Sequence, residues 1–150
     1  METKFRKFST SDKNIIAEMI IGLYTEDPSD KVVDTRKIEK TFDTLLNEPS
    51  RGTVMVFEKG EEIAGYSILI NFWSNEFGGN ILIIDELFVK VEFRSQGIAS
   101  QFIQHLVETQ FNNSVALQLE VTPDNHRALA LYKSLGFRKH KNDYYDLLLT

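Results

Sequence analysis

Residues 81–107 read ILIIDELFVKVEFRSQGIASQFIQHLV. The run opens apolar enough for a central strand and is interrupted by a carboxylate pair, Asp85 and Glu86. A short polar turn follows, holding Arg94, Ser95, Gln96 and Gly97. Beyond it Ile98, Phe102, Ile103, Leu106 and Val107 recur at helical spacing. A buried strand that feeds a glycine-containing turn and then a helix presents backbone N–H groups to a phosphate. Small residues stand at 95, 97 and 99, so a ligand could approach the backbone closely, and the N–H groups of residues 96 to 99 lack intrahelical partners. No Gly-Lys-Ser/Thr follows, so this is not a P-loop, and the glycine triplet of a dinucleotide fingerprint is missing. On spacing alone, an ordinary strand-to-helix connection explains the turn equally well.

Working outward, Lys4–Phe8 reads as a short strand, and Ser9-Thr10-Ser11-Asp12 offers helix caps. Ile15, Ile16, Met19, Ile20 and Leu23 form the stripe of a first helix, which should stop at the breaker cluster Thr25-Glu26-Asp27-Pro28. A second helix is expected over 31–46, with Val32, Ile38, Phe42, Leu45 and Leu46 inward. The period then changes to that of strands over 53–57, 63–73 and 81–90, with Gly65 a bulge or a point of close approach. After the 98–107 helix come a strand over 115–121, a helix closed by Gly136, and a closing pair of strands over 137–138 and 144–149. The order β-α-α-β-β-β-α-β-α-β-β predicts an α+β fold in which a mostly antiparallel sheet is interrupted by a crossover helix.

At 150 residues the chain suits one domain, 1–150, and 42% hydrophobic with 26% charged residues is an ordinary globular balance. The net charge of −5 argues against nucleic acid as the main partner. Without cysteine there is no thiolate chemistry, and His105, His126 and His140 lack metal-ligand spacing, so no metal is expected. No window has the length of a membrane span, which makes a cytoplasmic protein the expectation.

Arg94-x-x-Gly97-x-Ala99, with the strand Asp85–Val89 before it and an amphipathic helix after it, resembles the acetyl-CoA signature of the GNAT superfamily of N-acetyltransferases. The segment Asn125-His126-Arg127-Ala128-Leu129-Ala130-Leu131-Tyr132-Lys133-Ser134-Leu135-Gly136-Phe137 is similar to that family's N-x-x-A-x-x-x-Y-x-x-x-G-F ending. Ala99, Ser95 and Val91 depart from the commoner glycine, glycine and proline, and none of the three removes a backbone donor.

The resemblance implies an acetyl-CoA-dependent N-acetyltransferase. Leu87, Phe88 and Val89 would pair with the pantetheine arm, where a bulge splays this strand from 117–121. Arg94 opens the turn, the N–H groups of Ser95, Gln96, Gly97, Ile98, Ala99 and Ser100 would hold the pyrophosphate, and Asn125 would also touch the cofactor. Tyr132 would supply a proton to the departing thiolate, and Asp85 or Glu86 would take one from the amine, which must be neutral to attack. Tyr24, Glu26, Asp27, Trp73, Asp85 and Glu86 would form an acidic, aromatic-edged pocket for a small cationic amine. Two other readings keep the fold: a protein or peptide N-acetyltransferase with an open groove, or an acyl-CoA sensor without catalysis. By analogy with the family alone, the C-terminal strands with Tyr144 and Tyr145 would suit a homodimer surface.

Overall fold

The computed structural model describes residues 2–29 and 31–150, which fall into two compact units, up to Glu120 and from Val121. In the first unit, strands β1 (Thr3–Lys7), β2 (Gly52–Lys59), β3 (Glu62–Ser74), β4 (Gly79–Val89) and β5 (Ala116–Leu119) form one sheet in that spatial order. The first three pairings are antiparallel, and β4–β5 is parallel. A parallel neighbour requires a crossover, which α3 (Ile98–Glu108) supplies. Two further helices, α1 (Lys13–Glu26) and α2 (Thr35–Asn47), lie between β1 and β2 in the chain.

Each sheet face has its own core. On one face Ile16, Met19 and Ile20 of α1 and Ile38 and Phe42 of α2 meet Val54, Val56, Tyr66, Ile68 and Phe88. On the other, Phe102 of α3 packs on Phe57 and Phe5, with ring centroids 4.6 and 5.3 Å apart. His105 lies against Phe5 at 5.4 Å. Three expected inward residues turn out exposed: Val32, Leu46 and Val107. Val32 precedes the helix, which starts only at Thr35 behind the Asp34 cap. Leu46 and Val107 each sit one position, about 100°, beyond the last fully buried residue.

Gly65 is a point of close approach. A Cβ there would stand 2.2 Å from the Phe88 carbonyl oxygen and 2.9 Å from the Phe57 ring. It therefore sets how tightly β4 lies against β3.

The second unit contains α4 (His126–Ser134), capped by Asn125, whose side chain accepts from the Ala128 N–H at 3.2 Å. The closing strands expected over 137–138 and 144–149 are irregular chain instead. Alternating aromatic and apolar residues state a preference for a pleated surface, but a strand exists only where a ladder partner accepts it.

Asp12 is the buried charge that ties the N-terminus together. Its carboxylate accepts a two-pronged pair of bonds from Arg6 Nη1 and Nη2, both 2.8 Å, and a third from the Ser9 N–H at 2.8 Å. Arg6 Nε also meets Glu58 at 2.9 Å. The Arg6 bonds hold the Asp12 pKa below its ordinary value. A depressed carboxylate stabilises the fold above its unfolded pKa and ceases to as pH falls through the folded one. Asp12→Ala should cost about 2 kcal/mol at pH 7, scaled down from a fully buried pair because Arg6 is partly exposed. Urea unfolding at pH 7 and pH 3 checks this: the difference between variant and wild type should shrink at the lower pH.

Candidate active site

The ladder between β3 and β4 slips by one residue. Ile68 pairs with Glu86 and Leu69 with Ile84, which leaves Asp85 as the extra residue of a β-bulge. The slip follows from the demands on β4. Phe88, Glu86, Ile83 and Ile81 stand opposite Tyr66, Ile68, Ile70 and Phe72 on one face. Strict alternation would send 86 and 83 to opposite faces, so one residue must be absorbed.

The bulge also ends the sheet locally. β4 pairs with β5 from Ile81–Ala116 to Ile84–Leu119 and no further. From Asp85 to Val89 the β5-facing edge has no ladder partner among the described residues. A strand edge left open inside a sheet can accept an extended ligand by backbone hydrogen bonds.

Glu86 points to the α1 face. Its Oε2 accepts the Tyr24 hydroxyl at 2.7 Å and its Oε1 the Tyr66 hydroxyl at 2.8 Å. The Ser67 hydroxyl donates to the Glu86 carbonyl oxygen at 2.8 Å. Burial raises the Glu86 pKa and outweighs the two phenols, which lower it; Asp85 adds to the rise. Asp85 is exposed at its surface, yet partial burial and the Glu120 carboxylate lift its pKa as well. Solvent screening limits the energetic weight of that lift.

Gly97 adopts a left-handed φ of 78° immediately before α3, and Ser95 one of 63°. Two left-handed residues bracketing Gln96 curl the turn, and α3 begins with N–H groups that have no intrahelical acceptor. The Gln96 side chain accepts from Lys59 at the end of β2. The backbone and the helix dipole here suit an anionic group at the helix start.

Arg94 is otherwise engaged. Its Nε donates to the Val89 carbonyl at 2.8 Å, and Nη2 reaches both Glu26 oxygens at 2.9 Å. The guanidinium lies 5.4 Å from the Phe88 ring centroid. Glu26, expected in an acceptor pocket, is therefore paired with the first residue of the turn. Tyr24 meets Glu86, and it lines a shallow hollow with Ile21, Thr25 and Pro28. Asp27 closes α1, its N–H bonded to Leu23. Trp73 does not join them: it lies five positions along β3 from Ile68, the partner of Glu86, or about 16 Å at strand rise.

Tyr132 belongs to the second unit, where its ring meets Phe137 at 5.7 Å and burial raises its pKa. Tyr66 was not singled out in the sequence. An aromatic residue in an apolar strand looks like core, and the only hint was that a wholly buried tyrosine needs a partner for its hydroxyl.

A family model described as Acetyltransferase (GNAT) family matches residues 17–137, which spans both units. The thialysine N-epsilon-acetyltransferase of Bos taurus is 35% identical over 79 residues, covering 52% of this chain and 46% of that protein. The chain thus spans about half the length of the curated relatives of this kind. The [ribosomal protein bS18]-alanine N-acetyltransferase of Escherichia coli K12 is 30% identical over 95 residues, covering 58% of this chain and 64% of that protein. In three dimensions the chain is similar to a possible acetyltransferase from Clostridium difficile 630, with a TM-score of 0.86, 23% identity, and 100% and 99% of the two chains covered. At that identity the likeness speaks for the fold. No helix among the described residues is long and apolar enough to cross a membrane.

A carboxylate whose pKa is raised by burial favours the native state only while protonated; that advantage is present at low pH and is lost as pH rises through the folded value. Glu86→Gln should therefore leave stability at pH 8 unchanged or higher, and the two proteins should converge as the pH is lowered through the raised carboxylate range. Thermal unfolding at pH 8 and pH 5 reads this. A clear loss at pH 8 would mean that ionised Glu86 stabilises the fold.

Proposed function

We propose an activity for this chain, which belongs to the acetyltransferase (GNAT) family: transfer of the acetyl group of acetyl-CoA to the primary amine of a small cationic molecule. The observation that carries this is the bulge at Asp85, which opens a strand edge and sets two carboxylates beside it. The residues fit the co-substrate by their own features. The open edge at Leu87, Phe88 and Val89 suits an amide-bearing arm, and the curled turn from Ser95 to Ser100 suits a pyrophosphate. The Arg94 side chain supports the turn through Val89 and Glu26, so in this reading the anion is held by backbone N–H groups.

Acetyl-CoA supplies an activated acyl carbon. Glu86, directly or through a water, takes the proton that the ammonium must lose before its nitrogen can attack. A pKa above the ordinary carboxylate range improves the match of this base to its task. Asp85, exposed at the same bulge, attracts the cationic acceptor. As the carbon–nitrogen bond forms and the carbon–sulfur bond breaks, the thiolate needs a proton. We assign its donation to Tyr132 from the motif alone, and its raised pKa keeps the phenol protonated at neutral pH.

The thialysine enzyme's name supports a small amine acceptor for this chain, and the ribosomal-protein enzyme's name supports a peptide amine as the second reading. Paired tyrosines and carboxylates favour the small cation, because Tyr24 closes the α1 side over Glu86. Assembly as a homodimer belongs to the same proposal.

At 100 times its Kd, acetyl-CoA should stabilise the protein by about 2.7 kcal/mol; a melting curve unmoved at millimolar acetyl-CoA removes the co-substrate. Tyr132→Phe should lower kcat about 100-fold and leave that thermal shift intact. The acceptor is found by following thiol release across polyamines, basic amino acids and basic peptides. Turnover confined to peptides would replace the small-amine reading with the peptide one.

A further inference from the structure

We propose that Tyr66 and Tyr24 are positioning residues for Glu86, holding its orientation and its proton affinity with one phenol on each carboxylate oxygen. This rests on the reading of Glu86 as the base. Tyr66 is wholly buried in β3, opposite Phe88, with its ring 6.1 Å from the Phe88 ring. Packing alone would be met by a phenylalanine; the hydroxyl adds the 2.8 Å bond to Oε1. Tyr24 reaches Oε2 at 2.7 Å from α1, so the two phenols come from different elements. The Ser67 hydroxyl fixes the Glu86 carbonyl as well, so the residue is held at three points.

The two phenols act in one direction. Burial first, and the Glu86 carboxylate next, raise both of their pKa values, so they remain donors throughout the useful pH range. Each carboxylate oxygen accepts one O–H bond and keeps a lone pair for an incoming ammonium or water. The ionisable groups that face Glu86 are Tyr24 from α1, Tyr66 from β3 and Asp85 on β4 itself. Asp85 opposes ionisation, and the phenols favour it. Removing one phenol should leave a carboxylate that is harder to ionise and freer to rotate.

The test is Tyr66→Phe beside Tyr24→Phe, read in two ways. In kinetics, the acid limb of kcat/KM against pH should move up by about one unit. The loss should be about tenfold at a pH on that limb and recover at higher pH, with KM for acetyl-CoA unchanged. A merely structural hydroxyl would lower activity equally at all pH values. In a ¹³C carboxyl titration by NMR, which needs no turnover, the Glu86 midpoint should rise in either variant. A midpoint and limb that stay put in folded Tyr66→Phe or Tyr24→Phe overturn the proposal. Should Tyr66→Phe not fold, Tyr24→Phe, at a half-buried site, carries the test alone. Glu86→Gln separates the two readings: full turnover with an unaltered pH profile removes Glu86 as the base, while the NMR arm still decides whether the tyrosines hold it.

Discussion

One extra residue in β4 organises the site. The strand must present Ile81 and Ile83 to one core and Leu82 and Ile84 to the other, then continue with Glu86 and Phe88 on the first face. Placing Asp85 outside the ladder satisfies both cores at once. The pairing with β5 stops at Ile84, immediately before the inserted residue, where a bulge disrupts the ladder. A packing solution thus produces an open strand edge and two carboxylates at one position. Gly65, which admits the Phe88 carbonyl at the distance a Cβ would occupy, keeps β4 close to β3 just beyond the bulge.

The chain treats two carboxylates differently, Asp12 buried and Glu86 half-buried. Asp12 receives a full guanidinium fork and a backbone N–H, and its pKa falls. Glu86 receives two neutral hydroxyls and a neighbouring negative charge, and its pKa rises. The first arrangement neutralises a charge in the service of stability. The second leaves a charge poorly compensated, which is the condition of a group that exchanges protons. Tyr24 extends that environment into α1, so the helix that builds one hydrophobic core also supplies a wall of the site.

Arg94 shows how a motif residue can be evident in place while its contacts are not. Its position ahead of Gly97 is plain in the sequence, and the pattern says nothing of what its side chain touches. In the structure it clamps the turn to Glu26, Val89 and the Phe88 face. Glu26 lies 68 residues earlier in the chain, so no local pattern could have announced the pair. Trp73 stands well along β3 from the partner of Glu86 for a related reason: nearness in sequence says nothing of position along the hairpin.

Sequence by itself determined the elements as far as α4, the crossover between β4 and β5, the glycine turn before α3 and the family, because periodicity, breakers and spaced motifs are local properties of the chain. It also marked Asp85 and Glu86, since charges in an apolar strand are costly without a reason. Tertiary structure alone decided which of them meets the tyrosines, that Tyr66 is more than core, and that the closing strands find no ladder in the described chain. Those outcomes depend on register and on partners brought together across long stretches of sequence, and a single slipped residue in β4 was enough to choose among them.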